Sequence, residues 1–329
     1  MAKRIAINGF GRIGRITLRN LLKNPNVEVV AINDLTDNQT LAHLFKYDTM
    51  HGKFDGTVEA TNDAIIINGK SIKGLAVRNP AELPWKELGV DVVLECTGIF
   101  LDRDKAMMHV QAGCRRVILS APPKADDVPT IVIGANHETI KDSDPVLSNA
   151  SCTTNCLVPQ VLVLDRAFGV EQFMMTTVHA YTSDQNIQDG PHKDLRRARA
   201  AAQNIVPTST GAAKAVVMVA PHLKGKIDAQ AFRVPTATGS LTDVTAILKK
   251  PATVAEINAA FKEASETWLK GILEYTEEEI VSSDIVRNTH SCIFDSGLTQ
   301  SNGNLAKIVG WYDNEAGYSA RLADLAAMV

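Results

Sequence analysis

Lys3-Arg4-Ile5-Ala6-Ile7-Asn8-Gly9-Phe10-Gly11-Arg12-Ile13-Gly14 is the stretch that decides the fold. Residues 3–8 read as a short buried strand, and apolar positions then recur through Leu18, Leu21 and Leu22 at helical spacing. G-x-G-x-x-G between a strand and a helix is the dinucleotide-binding fingerprint in the context it requires. Gly9 permits a tight turn, Gly11 lets the backbone approach a pyrophosphate, and Gly14 allows close helix–strand packing. Residues 27–32 form the next strand, which ends in Asn33–Asp34. Asp34 lies 20 residues beyond Gly14, the distance at which an acidic side chain meets the adenosine ribose hydroxyls. It would equally serve as a helix cap, because Thr36, Asp37 and Asn38 open the next segment. As a ribose ligand it argues for NAD over NADP, since a 2′-phosphate beside a carboxylate is repelled.

The alternation of strands and helices continues outward. Residues 91–96 and 116–120 read as buried strands, closed by Thr97–Gly98 and by Ala121-Pro122-Pro123, and Asn68–Gly69 between apolar runs signals a hairpin. This pattern predicts an α/β fold with a Rossmann-type parallel sheet covered on both faces. Ligands of such sheets lie beyond the carboxyl ends of the strands, which puts Thr97, Gly98 and Ser120 near the cofactor. An ordinary turn would use the same residue types.

At 329 residues the chain outgrows a single core, so a second domain is expected. Its 45% hydrophobic and 22% charged content is that of an ordinary soluble protein. A net charge of -3 and a pI near 6.3 give no electrostatic reason to bind nucleic acid. The basic residues Lys193, Arg196, Arg197 and Arg199 sit in a long polar loop, interrupted by Asp189 and Asp194 and without interleaved aromatics. Five cysteines without framework spacing point to a reducing, cytoplasmic compartment. No apolar run is long enough to span a bilayer and no signal-peptide core follows Lys3–Arg4. No metal site is expected.

The second informative stretch is Ser148-Asn149-Ala150-Ser151-Cys152-Thr153-Thr154-Asn155-Cys156. Residues 145–147 end a strand, and Leu157, Val161, Leu164 and Phe168 follow at helical spacing. Cys152 thus stands at a helix N-terminus, where unpaired N–H groups and the macrodipole favour an anion. Cysteine is most often a small buried packing residue. Here four hydrogen-bonding neighbours, Ser151, Thr153, Thr154 and Asn155, argue for a thiolate nucleophile instead.

Downstream, a strand over 172–177 delivers Val178-His179-Ala180-Tyr181-Thr182. Ser209-Thr210-Gly211 opens a helix running through Val216 and Leu223, a place for a phosphate or a simple N-cap. Phe232-Arg233-Val234-Pro235 ends one strand, and residues 240–248 and 304–311 form others. Residues 256–273 read as an amphipathic helix and 316–328 as a terminal one. A thiol titrates near ~8.5, and a helix terminus contributes about 0.3–1 kcal/mol, at best ~2, roughly one pKa unit. An imidazolium at His179 is therefore expected to hold the thiolate. Such a pair beside a nicotinamide would oxidise an aldehyde through a hemithioacetal to a thioester.

From Asn8-Gly-Phe-Gly-Arg-Ile-Gly-Arg15 through Ser151-Cys-Thr-Thr-Asn-Cys156 to Trp311-Tyr-Asp-Asn-Glu315, the chain resembles the phosphorylating glyceraldehyde-3-phosphate dehydrogenases. The resemblance implies Cys152 as nucleophile and His179 as base in an NAD-dependent enzyme of glycolysis and gluconeogenesis. Arg12, Ile13, Asp34, Arg78 and Ser120 would contact NAD, and Asn314 would orient the nicotinamide amide. Thr182 and Arg233 would hold the C3 phosphate of D-glyceraldehyde 3-phosphate. Ser151, Thr153, Thr210 and Gly211 would hold inorganic phosphate, with Arg197, or Arg199 in its place, as a further contact. It also implies an NAD domain over 1–150 that takes back the helix at 315–329, and a catalytic domain over 151–314 with a mostly antiparallel sheet. A homotetramer is implied, its loop at about 181–206 reaching a neighbouring subunit. A sister dehydrogenase acting on erythrose 4-phosphate would carry the same motifs.

Overall fold

The computed structural model describes residues 2–329 and divides into two compact units. One holds the residues through Ile131 together with His137–Ser151 and Ser319–Val329; the other holds Val132–Asn136 and Cys152–Tyr318.

The first unit is built on β1 (Lys3–Asn8), flanked in parallel by β2 (Val27–Asn33) on one side and β6 (Val92–Glu95) on the other. Short strands β3 (Val58–Ala60), β4 (Ala64–Ile67) and β5 (Lys70–Leu75) extend one edge. The other edge carries β7 (Arg116–Leu119) and β8 (Val146–Ser148), giving the order β3-β4-β5-β2-β1-β6-β7-β8. The run from β5 to β8 is parallel, the Rossmann-type sheet expected; β3 and β4 pair antiparallel at the edge. Asn68 and Gly69 both take positive φ between β4 and β5, the two-residue turn that matches strand twist. Helices α1 (Arg12–Leu21), α2 (Asn38–Lys46) and α3 (Arg103–Gln111) make the crossovers, with Trp85, Val93, Ala106 and Val117 among the fully buried core. Gly14 is obligatory for packing: a Cβ there would stand 2.4 Å from the Gly9 carbonyl oxygen. The cap of α2 is Asp37, whose carboxylate accepts the Thr40 N–H at 2.8 Å, which leaves Asp34 out of that task.

The second unit begins with α4 (Cys152–Phe168), whose Leu157, Val161 and Leu164 are buried as their spacing requires. Its sheet has the order β10-β11-β9-β12-β16-β14-β13. The members are β9 (Val170–Ala180), β10 (Val206–Thr208), β11 (Ile227–Val234), β12 (Ser240–Leu248), β13 (Leu273–Thr276), β14 (Cys292–Asp295) and β16 (Leu305–Tyr312), and β15 (Gln300–Asn302) pairs with β16 off that path. Most of its pairings are antiparallel, as expected. β9 runs longer than the sequence suggests, so His179 sits inside the strand rather than after it. Helix α5 (Ala212–Val219) stops short of Leu223 because Pro221 lacks the N–H that continuation needs; it opens a separate 3-10 turn.

The helix expected over 256–273 is instead α6 (Val254–Glu266). A reciprocal Thr253–Glu256 capping box starts it early, and Gly271 at φ +78 turns the chain into β13. Strands β13, β14 and β15 carry too little alternation to be read in advance. Helix α7 (Ala316–Met328) ends the chain. No helix among the described residues is long and apolar enough to cross a membrane.

Candidate active site

Parallel pairing of β11 with β9 sets Arg233 directly beside His179 in register, and parallel partners share a face of the sheet. The first residue of α4 supplies the thiol: Cys152 Sγ lies 3.4 Å from His179 Nε2. On the other side of the ring, Nδ1 lies 2.7 Å from the Ala180 carbonyl oxygen. A carbonyl only accepts, so Nδ1 carries the proton and Nε2 presents a lone pair to the thiol. The same carbonyl accepts from Arg233 Nη1 at 2.9 Å, so one oxygen orients both the imidazole and the guanidinium. Beneath them Tyr312 Oη hydrogen-bonds Thr153 Oγ1 and Thr177 Oγ1, each at 2.9 Å. Ala150, two residues before the thiol, holds φ +57, a left-handed conformation unusual for a residue with a Cβ.

The electrostatics correct one expectation. Burial pushes His179 down to about 3, and the positive charge of Arg233 acts in the same direction. Burial also raises the Cys152 thiol, while Arg233 and the Thr153 N–H and hydroxyl pull it back. The nearby cation that lowers the thiol is therefore Arg233, and His179 is held neutral rather than as the expected imidazolium. The physical reason is that a second cation next to Arg233 in a dry site costs more than one more hydrogen bond returns.

Arg233 Nη1 also donates to Thr182 Oγ1 at 2.9 Å, so the two residues assigned to one anion do meet. Thr182 in turn donates to the Asp184 carboxylate, and Asp184 accepts from Arg197 Nη1 at 2.5 Å. Arg197 Nε bonds Thr208 Oγ1 at 2.7 Å. This brings Arg197 to the cluster, whereas Arg199 turns away to a solvent-exposed pair with Asp189 at 2.9 Å. Thr210 accepts the Ala212 N–H at 3.3 Å ahead of α5, and Gly211 has open space where a side chain would be. Asn314 is buried, and its Oδ1 accepts from Gly239 N–H at 3.2 Å and Ser240 Oγ at 3.0 Å, leaving its NH2 as the donor end.

In the first unit, the residues expected to meet NAD follow the carboxyl ends of β1, β2, β5, β6 and β7. Gly9 holds φ +93, and a Cβ there would strike the Thr97 nitrogen at 2.7 Å; a Cβ at Gly11 would meet nothing within 4 Å. Gly11 precedes α1 without a side-chain cap, so the first-turn N–H groups, Ile13 among them, are open to an anion. Asp34 accepts the Phe10 N–H at 2.8 Å and the Thr36 N–H at 3.0 Å, which fixes its carboxylate beside the glycine turn. Arg78 is exposed beyond β5 and Ser120 is half-buried beyond β7. Arg12 is tied back, its Nη1 2.5 Å from Asp48 and its Nη2 3.2 Å from His51 Nδ1. Although burial raises the Asp48 carboxyl, the hydrogen bonds from His51 and Arg12 outweigh it and hold Asp48 well below the usual range. These features, a capless helix start, a side-chain-free backbone and a preset carboxylate, suit a dinucleotide.

Residues the sequence reading passed over also stand here. Asp184 offers the one signal of lying two residues past Thr182, and Tyr312 none at all, because its partners come from β9 and α4. Leu35 and Ile99 are exposed apolar side chains, one residue past Asp34 and two past Thr97, in the turns that follow β2 and β6.

Two family models match the chain. Residues 3–103 fit the one described as glyceraldehyde 3-phosphate dehydrogenase, NAD binding domain, and residues 151–314 the one described as its C-terminal domain. Proteins named glyceraldehyde-3-phosphate dehydrogenase are similar over the whole chain: 58% identical in Mycobacterium avium, 58% in Mycobacterium tuberculosis strain H37Rv and 55% in Streptomyces coelicolor. In each case the match covers 100% of this chain and 99% of the relative. With both domains matched and the thiol–imidazole pair in place, the chain belongs to the NAD-dependent glyceraldehyde-3-phosphate dehydrogenase family.

Proposed function

We propose that this protein oxidises D-glyceraldehyde 3-phosphate to 1,3-bisphosphoglycerate with NAD and inorganic phosphate, through a thioester on Cys152. The observation that carries the reading is the 3.4 Å contact between Cys152 Sγ and the bare Nε2 of His179, flanked by the Arg233–Thr182 anion clamp. His179 takes the thiol proton, the sulfur attacks the aldehyde carbon, and His179 returns that proton to the resulting alkoxide to give a hemithioacetal on Cys152. Bound NAD would supply the hydride acceptor for that carbon. His179 accepts the hydroxyl proton as the C=O bond forms, leaving the thioester. An oxygen of inorganic phosphate then attacks the carbonyl carbon, the C–S bond breaks, and Cys152 departs as thiolate with the acyl phosphate released.

The substrate prepares its own base. Its C3 phosphate, held by Thr182 and Arg233, offsets the Arg233 charge, which after burial is the second cause of the depressed His179 basicity, so part of that basicity returns with substrate in place. Asp184, which pairs with Thr182 and Arg197, yields these donors to the incoming anions. Ser151, Thr153, Thr210 and Gly211, with Arg197, hold the attacking phosphate. Gly9, Gly11, Arg12, Ile13, Gly14, Asp34, Arg78, Thr97 and Ser120 hold NAD, and the NH2 of Asn314 meets the nicotinamide carbonyl. The domains run over 1–150 with 315–329, and over 151–314. The protein is a cytoplasmic homotetramer joined in part by its long loop, in which Ile187 and Leu195 are more than four-fifths exposed.

NADH formation with and without added phosphate tests this. Sustained turnover on D-glyceraldehyde 3-phosphate should require phosphate; turnover that ignores it, with erythrose 4-phosphate as the better substrate, would transfer the assignment to the sister dehydrogenase.

A further inference from the structure

Glu95 ends β6 with its carboxylate fully buried, and the reaction above makes no use of it. We infer that Glu95 is a positioning residue for NAD, the terminus of a one-directional hydrogen-bond chain that sets the backbone on which the cofactor ligands stand. This rests on the assignment of Gly9, Asp34, Arg78 and Thr97 to NAD made above.

The chain can be followed atom by atom. Glu95 Oε1 accepts from the Thr97 N–H at 2.8 Å and from the Thr97 hydroxyl. Glu95 Oε2 accepts from Asn8 Nδ2 at 2.6 Å and from His109 Nε2 at 3.1 Å. The proton on that ring nitrogen is fixed from behind: Trp85 Nε1 lies 3.0 Å from His109 Nδ1, and an indole nitrogen can only donate. On the far side, Asn8 Oδ1 accepts from Asn33 Nδ2 at 2.7 Å. Asn33 then grips Val77 at two points, donating from Nδ2 to its carbonyl oxygen and accepting its N–H at Oδ1, each at 2.8 Å. Strand register makes this possible, since Asn8 lies opposite Asn33 on β2 and opposite Glu95 on β6.

Four points of the chain fall on or beside cofactor residues. Asn8 precedes Gly9, Asn33 precedes Asp34, Val77 precedes Arg78, and Thr97 is itself one of the set. The chain has a single possible polarity. Trp85 cannot accept at one end, and the Val77 backbone fixes the Asn33 amide at the other. Every donor between them is aimed at residue 95, whose two oxygens receive four hydrogens. A carboxylate accepts on both oxygens; a carboxamide accepts on one and would confront Asn8 and His109, or Thr97, with its own N–H groups. Reversing Asn8 to relieve that clash would reverse Asn33 and break its grip on Val77.

The test is Glu95→Gln in the full-length protein, with NAD binding measured by titration and turnover measured separately. Kd and KM for NAD should rise about ten- to a hundredfold, the factor that one or two unpaired buried donors cost. The kcat at saturating NAD and the KM for the aldehyde should hold, a split that general loss of structure does not produce. If Glu95→Gln fails to accumulate folded, Asn33→Asp breaks the chain at its far end by placing oxygen against Asn8 Oδ1 and the Val77 carbonyl, and should give the same NAD-selective loss. Unchanged NAD affinity in a folded variant, whatever its melting temperature, overturns the inference, as does a fall in kcat with affinity intact. Asp34→Ala, run in parallel, separates the two levels. If it alone loses NAD affinity, the Glu95 chain is merely structural; if it too binds NAD normally, the cofactor assignment fails, and the inference with it.

Discussion

Both halves of this molecule place their chemistry where a strand passes into a helix, yet they prepare the site by different means. At Gly9–Gly14 the backbone itself shapes the surface proposed for NAD: a positive φ at Gly9, no side chain at Gly11 and a carbonyl pressed against Gly14. At Ser151–Cys152 the helix start is only a platform. There the sulfur meets His179 of β9, sheet register sets Arg233 of β11 beside that imidazole, and Tyr312 of β16 holds the neighbouring Thr153. A site made of backbone is written in local sequence, whereas one made of neighbouring charges depends on which strands pair. Substitution should accordingly damage the second site through rate and the first through affinity.

The largest expected effect tests the rate side. His179→Asn removes the bare nitrogen opposite the thiol, and kcat should fall by about 10²–10⁴, the range for loss of a positioned proton acceptor, while NAD affinity stays as it was. A comparable loss of NAD affinity would erase the distinction between the two regions. Next in size is Asp34→Ala. Without the carboxylate, KM for NAD should rise about tenfold, as for one charge-assisted contact, and discrimination against NADP should narrow. Wild-type protein that turns over NADP as well as NAD would show that Asp34 sets no such preference.

A separate effect lies in stability against pH. His179 is neutral when folded, with a pKa of about 3 against 6.5 for the free side chain. The unfolded chain thus binds the extra proton across that interval. The contribution is complete above pH 6.5 and is lost as pH falls toward 3, at up to ~1.4 kcal/mol per pH unit. Denaturant melts at pH 7 and pH 5 should show this slope, and His179→Asn should flatten it. An identical slope in the variant would mean that the imidazole is not held neutral by burial and Arg233.

Much of the first region was legible in the sequence because its determinants are local. The strand at Lys3–Asn8, the glycine turn, the Asp at the end of β2 and the Asn68–Gly69 hairpin all follow from residue type and spacing. The second region was legible in its residues and not in its electrostatics. Cys152 and His179 stand out as a pair, but nothing along the chain says that β11 runs parallel to β9 and sets Arg233 next to the imidazole. Burial first, and then that register, leave His179 neutral where a cation was expected. Tyr312 was missed for the same reason, since its partners Thr153 and Thr177 are distant in sequence. Helix ends failed where tertiary context decided them, as at Pro221, or where a capping box and a glycine reset both limits, as in α6.

The thioester on Cys152 is the central claim, and trapping it is the most direct measurement. The protein is mixed with NAD and D-glyceraldehyde 3-phosphate in phosphate-free buffer, quenched in acid and digested, and its cysteine peptides are weighed. A 3-phosphoglyceroyl group should appear on the peptide carrying Cys152, stoichiometric with the NADH released in the burst, and vanish when phosphate is added before the quench. An NADH burst with Cys152 unmodified, or the acyl group on another cysteine, would contradict it.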